Sequence, residues 1–268
     1  MSSPPEFYGS LEPFAETFRH GVPALLYHKI ATIQAGVRRR GLYLSPTIFR
    51  AQLRELRAAQ FTTTAPASAT SERPRGVVVL TFDDGFQSAL ENGAPILREF
   101  GCRAINFLIP GLLGRTNVWD QADGERLEPL MNDEEVCAWL AAGHQIGAHT
   151  MTHPSLPTLP LAVAREEISA SKKALEDRFS LQVPDFAYPF GHWSPAVRDL
   201  VGEAGFERAW TVRPDVINHR ADPLALPRFP AAVSLRNPVH LLRSLPRPGP
   251  ALWRLLLESA RLCRRQKI

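Results

Sequence analysis

Gly76-Val-Val-Val-Leu-Thr-Phe-Asp-Asp-Gly85 is the stretch on which the fold turns. From Gly76 to Phe82 it is apolar and β-branched with almost no alternation. It is therefore predicted to be a strand covered on both faces, as in a parallel sheet. It runs straight into two adjacent carboxylates, Asp83 and Asp84, and Gly85 then lets the chain turn. In parallel α/β sheets and barrels, chemistry collects where strands end. Like charges side by side at a buried edge are costly unless something positive balances them, and a metal ion would do so. The alternative is an acidic turn that caps the following helix.

Working outward, strands and helices alternate on both sides. Upstream, residues 22–27 read as a buried strand ending at His28 and Lys29. Ser45 and Pro46 then open a helix carrying Phe49, Leu53 and Leu56 at helical spacing. Residues 62–75, rich in Thr, Ala, Ser and Pro, read as a loop. Downstream, a helix over 87–100 closed by Gly101 is followed by a strand over 103–109 and a polar loop over 117–130. A helix over 133–142, a short strand over 145–148 and a long helix over 161–179 come next. Glu166 and Glu167 stand near the start of that long helix. A strand over 183–188, a helix over 194–205 and a strand over 206–212 complete the pattern. Such alternation implies a mainly parallel α/β sheet or barrel.

Two further motifs stand at predicted strand ends. His149-Thr-Met-Thr-His153 places two imidazoles four residues apart, which on a helical turn share a face and can reach one ion. Two surface histidines spaced by chance are the alternative. Two histidines and one carboxylate leave metal positions open for water and substrate, and the remaining aspartate can then serve as a general base. Phe186-Ala-Tyr-Pro-Phe-Gly191 ends an aromatic strand in a turn. Pro189 and Gly191 there could aim the Phe190 N–H at a developing oxyanion, although aromatic core packing also explains the segment.

Thr-Phe-Asp-Asp-Gly, His-Thr-x-x-His and Tyr-Pro-Phe-Gly, in this order over roughly residues 22–230, resemble the polysaccharide deacetylase family. This is the NodB-homology, carbohydrate esterase family 4 group. The resemblance implies an α/β fold, a distorted (β/α) barrel of about seven parallel strands. It implies hydrolysis of N-acetyl, and sometimes O-acetyl, groups on polysaccharides. Asp83 then maps to the base, and Asp84, His149 and His153 to the metal ligands. Thr150 maps to a hydrogen-bonding brace, and Phe190 to the residue whose N–H receives the oxyanion. The metal is expected to be zinc, with nickel or cobalt as alternatives.

The chain departs from the family pattern in two places. The arginine that many members carry two residues before the motif proline is replaced by Ala187. Arg228, in Leu226-Pro-Arg-Phe229, is the candidate substitute, an ordinary surface arginine being the alternative. The C-terminal Leu-x-His of many members is also missing, and His219 and His240 lack that context. Leu25-Leu-Tyr-His28 instead resembles the N-terminal segment of exopolysaccharide deacetylases, whose motif order is permuted. That makes His28 the candidate general acid, a hydrogen-bonded strand-end histidine being the alternative. Tyr188, His192 and Trp193 are candidates for substrate contact, and Trp193 and Trp119 for stacking on sugar, with core packing as the alternative for the two tryptophans.

The remaining sequence bounds the function classes. The chain has 268 residues with 44% hydrophobic and 22% charged residues, the profile of a globular domain able to bury its own core. Cys102, Cys137 and Cys263 form no CxxC pair, which supports neither a disulfide framework nor a zinc knuckle. The net charge of +4 is concentrated in Arg254, Arg261, Arg264, Arg265 and Lys267, with no nucleic-acid motif beside it. The expected organisation is an irregular lead-in over 1–20, the deacetylase domain over 21–230 and a basic helical tail over 231–268. The tail is expected either to pack on the barrel or to touch an anionic membrane surface. No secretory leader and no span of ~18 apolar residues is seen, so a cytoplasmic protein is expected. The expected partner is an acetylated polysaccharide. The competing functions are an amidohydrolase acting on another amide or ester, and a non-catalytic carbohydrate-binding protein.

Overall fold

In the computed structural model, which describes residues 8–71 and 75–231, short parallel strands form a curled sheet wrapped by helices. The elements in chain order are β1 (Ala24–Tyr27), β2 (Lys29–Ile30), β3 (Tyr43–Leu44), α1 (Pro46–Ala58), β4 (Thr62–Thr63), α2 (Pro66–Ser71) and β5 (Val77–Phe82). There follow α3 (Ala94–Glu99), β6 (Ile105–Leu108), α4 (Asp133–Ala141), β7 (Gln145–Ala148) and α5 (Leu161–Phe179). The last elements are β8 (Asp185–Ala187), α6 (Pro195–Glu203), β9 (Arg208–Trp210) and β10 (Phe229–Pro230). The main sheet runs β10-β1-β5-β6-β7-β8-β9, with β4 added beside β5 and every pairing parallel. Residues 226–230 touch β9 through Leu226 and β1 through Phe229, so an irregular segment brings the two ends of the sheet together. This is a distorted (β/α) barrel of seven parallel strands, as expected from the sequence.

Period-two alternation sorts the strand side chains. Ala24, Val79, Ile105, Phe107, Ala187 and Trp210 meet one another in an inner cluster. Leu25, Tyr27, Leu80, Phe82, Ile146 and Phe186 pack outward with the helices. Gly147 is required here, because a Cβ would stand 2.5 Å from the Phe107 ring that fills the barrel. At the inner end opposite the site, Asp185 holds Arg208 through two hydrogen bonds of 2.9 and 3.0 Å and accepts from Trp210 Nε1.

Local signals explain most element ends. Ser45 accepts from the Ile48 N–H and Pro46 starts α1, whose Phe49, Leu53 and Leu56 are buried. Asn132 and Glu135 form a reciprocal capping box at α4.

Three local expectations need correction. Residues 62–75 are not all loop: Thr62–Thr63 pairs with the start of β5, and Pro66–Ser71 is helical. The helix expected over 87–100 contains a π segment, Ala89–Gly93, just before Pro95, which has no N–H to donate to the preceding turn. Val118–Asp123, expected as loop, forms 3₁₀ turns.

Within the lead-in, Tyr8, Phe14 and Phe18 are buried, and both phenylalanines pack against Phe229. The tail expected over 231–268 lies outside the described residues beyond Ala231. Among the described residues no helix is long and apolar enough to cross a membrane.

Candidate active site

Four of the loops that follow the strands bring their side chains into one cavity of about 350 Å³. His28 follows β1, Asp83 and Asp84 follow β5, His149 and His153 follow β7, and Phe190 follows β8; all six line the cavity. Asp84 and Gly85 both take positive φ, 74° each, which turns the chain sharply after β5. At Gly85 a Cβ would meet the Leu108 side chain at 2.9 Å.

Asp84 Oδ1 lies 3.4 Å from His149 Nε2 and 3.3 Å from His153 Nε2. All three residues are nearly inaccessible, and Oδ1 has no hydrogen-bond partner. His149 Nδ1 is 2.7 Å from the Ala187 carbonyl, which can only accept, so Nδ1 carries the proton and Nε2 offers its lone pair. An orphaned carboxylate oxygen facing two imidazole nitrogens fits a divalent cation. No other group of three or more His, Cys, Asp or Glu suited to a metal occurs among the described residues. Burial alone would push the Asp84 carboxyl up, but the two histidines outweigh it and hold the group well below the usual carboxylate range.

The His149–His153 segment is not the helical turn its spacing suggested. Thr150 and His153 adopt positive φ of 65° and 68°. The two imidazoles converge because the loop folds back on itself. Thr150 Oγ1 accepts from the His153 N–H at 3.0 Å and donates to the His149 carbonyl at 2.5 Å. The outer side of this loop is clamped by Glu167 on α5. Its carboxylate accepts from the Met151 and Thr152 N–H groups and from the Thr152 hydroxyl, at 2.9, 3.0 and 2.7 Å. In the sequence Glu167 is marked only by its place near a helix start; its reach to a loop 16 residues back has no local signature.

Asp83 meets Arg228. The guanidinium donates to both carboxylate oxygens, to Thr81 Oγ1 and to the Thr211 carbonyl. Arg228 is wholly buried, not a surface arginine. Burial pushes the Asp83 carboxyl up, yet Arg228 and then His149 bring it below its ordinary value, so it is ionised at neutral pH. Burial lowers the His28 imidazole, and the Asp84 and Asp83 charges offset this only in part.

The other candidates divide. Phe190 has φ 59°, and its ring packs on His153 with centroids 4.6 Å apart. His192 and Trp193 are exposed on the loop beyond it, and His192 Nδ1 lies 3.2 Å from Ser155 Oγ. Trp119 lines the cavity with its ring 4.4 Å from that of His153. Tyr188 must be withdrawn as a substrate contact. It is 0% exposed, and its hydroxyl donates to the Leu224 carbonyl, because the strand alternation turns it toward the helices.

The sequence model for polysaccharide deacetylases matches residues 70–209, just over half of the chain. The chain belongs to the polysaccharide deacetylase family. His28 and Arg228 both lie outside the matched span; His28 lines the cavity from the end of the first strand, and Arg228, itself wholly buried, reaches Asp83 from the closing segment. A Bacillus subtilis relative, YxkH, which bears a polysaccharide deacetylase name, is 23% identical over 77% of this chain and 70% of its own length. A poly-beta-1,6-N-acetyl-D-glucosamine N-deacetylase of Staphylococcus aureus is 22% identical over 58% of this chain, which spans only 54% of that protein. Among solved structures, the Streptococcus pyogenes deacetylase PplD in complex with acetate superposes with a TM-score of 0.69. The identity is 20%, over 84% of this chain and 99% of that one. At that identity the likeness establishes the shared fold.

Proposed function

We propose that this family member is a divalent-metal-dependent hydrolase that removes N-linked acetyl groups from an acetylated polysaccharide or its glycan precursor, in exopolysaccharide synthesis. The observation that carries this reading is the meeting, in one cavity, of the Asp84–His149–His153 cluster with Asp83, whose carboxylate is held by the buried Arg228. The polysaccharide named for the Staphylococcus aureus relative gives the substrate class its direction.

Asp84, His149 and His153 would hold the metal; two nitrogens and one oxygen favour zinc, with nickel or cobalt also compatible. When bound, the cation supplies Lewis acidity toward the acetyl carbonyl. Asp83, ionised and locked in direction by Arg228, takes the proton of the attacking water. The Phe190 N–H stabilises the oxyanion that develops on the acetyl oxygen. His28 returns a proton to the departing amine, and its lowered pKa makes it a ready donor once charged. His192 and Trp193, exposed at the rim, contact the neighbouring sugars.

The test is acetate release from a panel of acetylated glycans, with other acetylated amides and esters as controls. Release from at least one glycan, lost in Asp83→Asn, is expected. Release only from non-sugar amides would favour a different amidohydrolase. Equal glycan binding by wild type and Asp83→Asn with no turnover by either would favour a binding protein.

A further inference from the structure

The cavity has a second wall that the reaction above does not use: Arg39, Trp119 and Asp120. Asp120 is 2% exposed. Its Oδ2 accepts from Asn117 Nδ2 at 3.0 Å, whereas its Oδ1 is buried with no hydrogen-bond partner. A buried acceptor left unfilled costs free energy, so such an atom on a cavity wall points to a ligand that brings a donor. The cation facing it is Arg39, whose Nε lies 3.4 Å from Oδ1.

Both residues are held in place. The Arg38 and Arg39 N–H groups donate to the buried Glu125 carboxylate at 3.0 and 2.6 Å. The Arg39 side chain also bonds Asp123. Asn117, which orients Asp120, is fixed in turn by the Glu128 N–H at 2.6 Å. Trp119, next in sequence to Asp120, rests on His153, so this wall adjoins the metal-ligand cluster. One guanidinium between two carboxylates leaves no net positive charge to attract an anionic sugar. An acceptor beside a guanidinium suits two adjacent hydroxyls, one donating and one accepting.

We propose that Arg39 and Asp120 form a recognition pair for vicinal hydroxyls of a neutral sugar ring. One ring hydroxyl donates to Asp120 Oδ1 and its neighbour accepts from Arg39. The pair sets which acetylated sugar is processed. The proposal rests on the deacetylase reading above.

The experiment measures acetate release from a β-1,6-linked N-acetylglucosamine pentasaccharide, whose sugars keep free hydroxyls at C3 and C4, and from its 3-deoxy and 4-deoxy analogues. Wild type is compared with Asp120→Asn, a near-isosteric change, and with Arg39→Gln, on a partly exposed side chain. Wild type should lose at least tenfold in kcat/KM on one deoxy analogue, chiefly through KM. In at least one variant the same deletion should cost less than twofold. Equal losses in wild type and both variants, or no change in KM in either variant, would overturn the pair. Wild type releasing no acetate from any of the three would overturn the pair as a reader of this sugar, and no release from any glycan of the wider panel would overturn the deacetylase reading with it.

Discussion

Arg228 and Asp83 face each other as a closed fork across 145 residues of sequence, Nη1 to Oδ1 at 2.7 Å and Nη2 to Oδ2 at 2.8 Å. Because both are buried, removing one partner strands the other's charge. Arg228→Met is expected to lower stability by about 3–5 kcal/mol. Arg228→Lys keeps the charge without the fork and should fall between. Urea denaturation checks both, and a loss below ~1 kcal/mol in Arg228→Met, the range of a surface pair, would contradict a buried fork.

Glu167 holds the loop between His149 and His153, the two histidines proposed to hold the metal, through the Met151 and Thr152 N–H groups. Outer groups of this kind typically change metal affinity by about 10–100-fold. Glu167→Ala is expected to weaken zinc binding by that factor, read by competition with a chromophoric chelator. An unchanged affinity would show that the loop holds its shape unaided.

His28 is assigned the proton for the leaving amine. His28→Gln is expected to lower kcat for acetate release by about 10²–10⁴-fold. Metal content should stay at the wild-type level, since His28 lies outside the ligand cluster. Loss of the metal in this variant would move His28 into the coordination set.

Much of this was legible in the sequence. The both-face-buried run into Asp83 and Asp84, the capped helix at Ser45 and the long helix over 161–179 are local signals, and the structure repeats them closely. What the sequence hid is long-range. β10 is two residues long and exists only because β1 is beside it. The clamp by Glu167 and the wall of Arg39 and Asp120 join segments whose spacing carries no motif. Tyr188 was misplaced because an aromatic at a strand end looks alike whichever face it takes. The helical turn assumed for His149 and His153 failed for a related reason: four-residue spacing is also met by a loop with two positive-φ residues.

A pH effect arises at the other end of the barrel. His144 is buried, and its Nδ1 accepts from the Ala104 N–H at 3.3 Å, which an imidazolium could not do. Burial, helped by Arg103, lowers its pKa from 6.5 to about 4. The unfolded chain therefore binds the proton more readily between these values, and stability falls as pH drops from 6.5 to about 4. A shift of that size contributes at most about 3 kcal/mol. His144→Gln should flatten that slope in a pH series of urea melts. A slope unchanged by the substitution would place the titration elsewhere.

The measurement closest to the central claim is a metal titration of chelator-stripped protein, followed by acetate release from a β-1,6-linked N-acetylglucosamine oligosaccharide. The expected result is no release from stripped protein. Activity should rise linearly with zinc to a plateau at one equivalent per chain, and none should be restored in Asp84→Asn. Full release from stripped wild type, or restoration of Asp84→Asn by the same equivalent, would contradict a catalytic metal held by Asp84, His149 and His153.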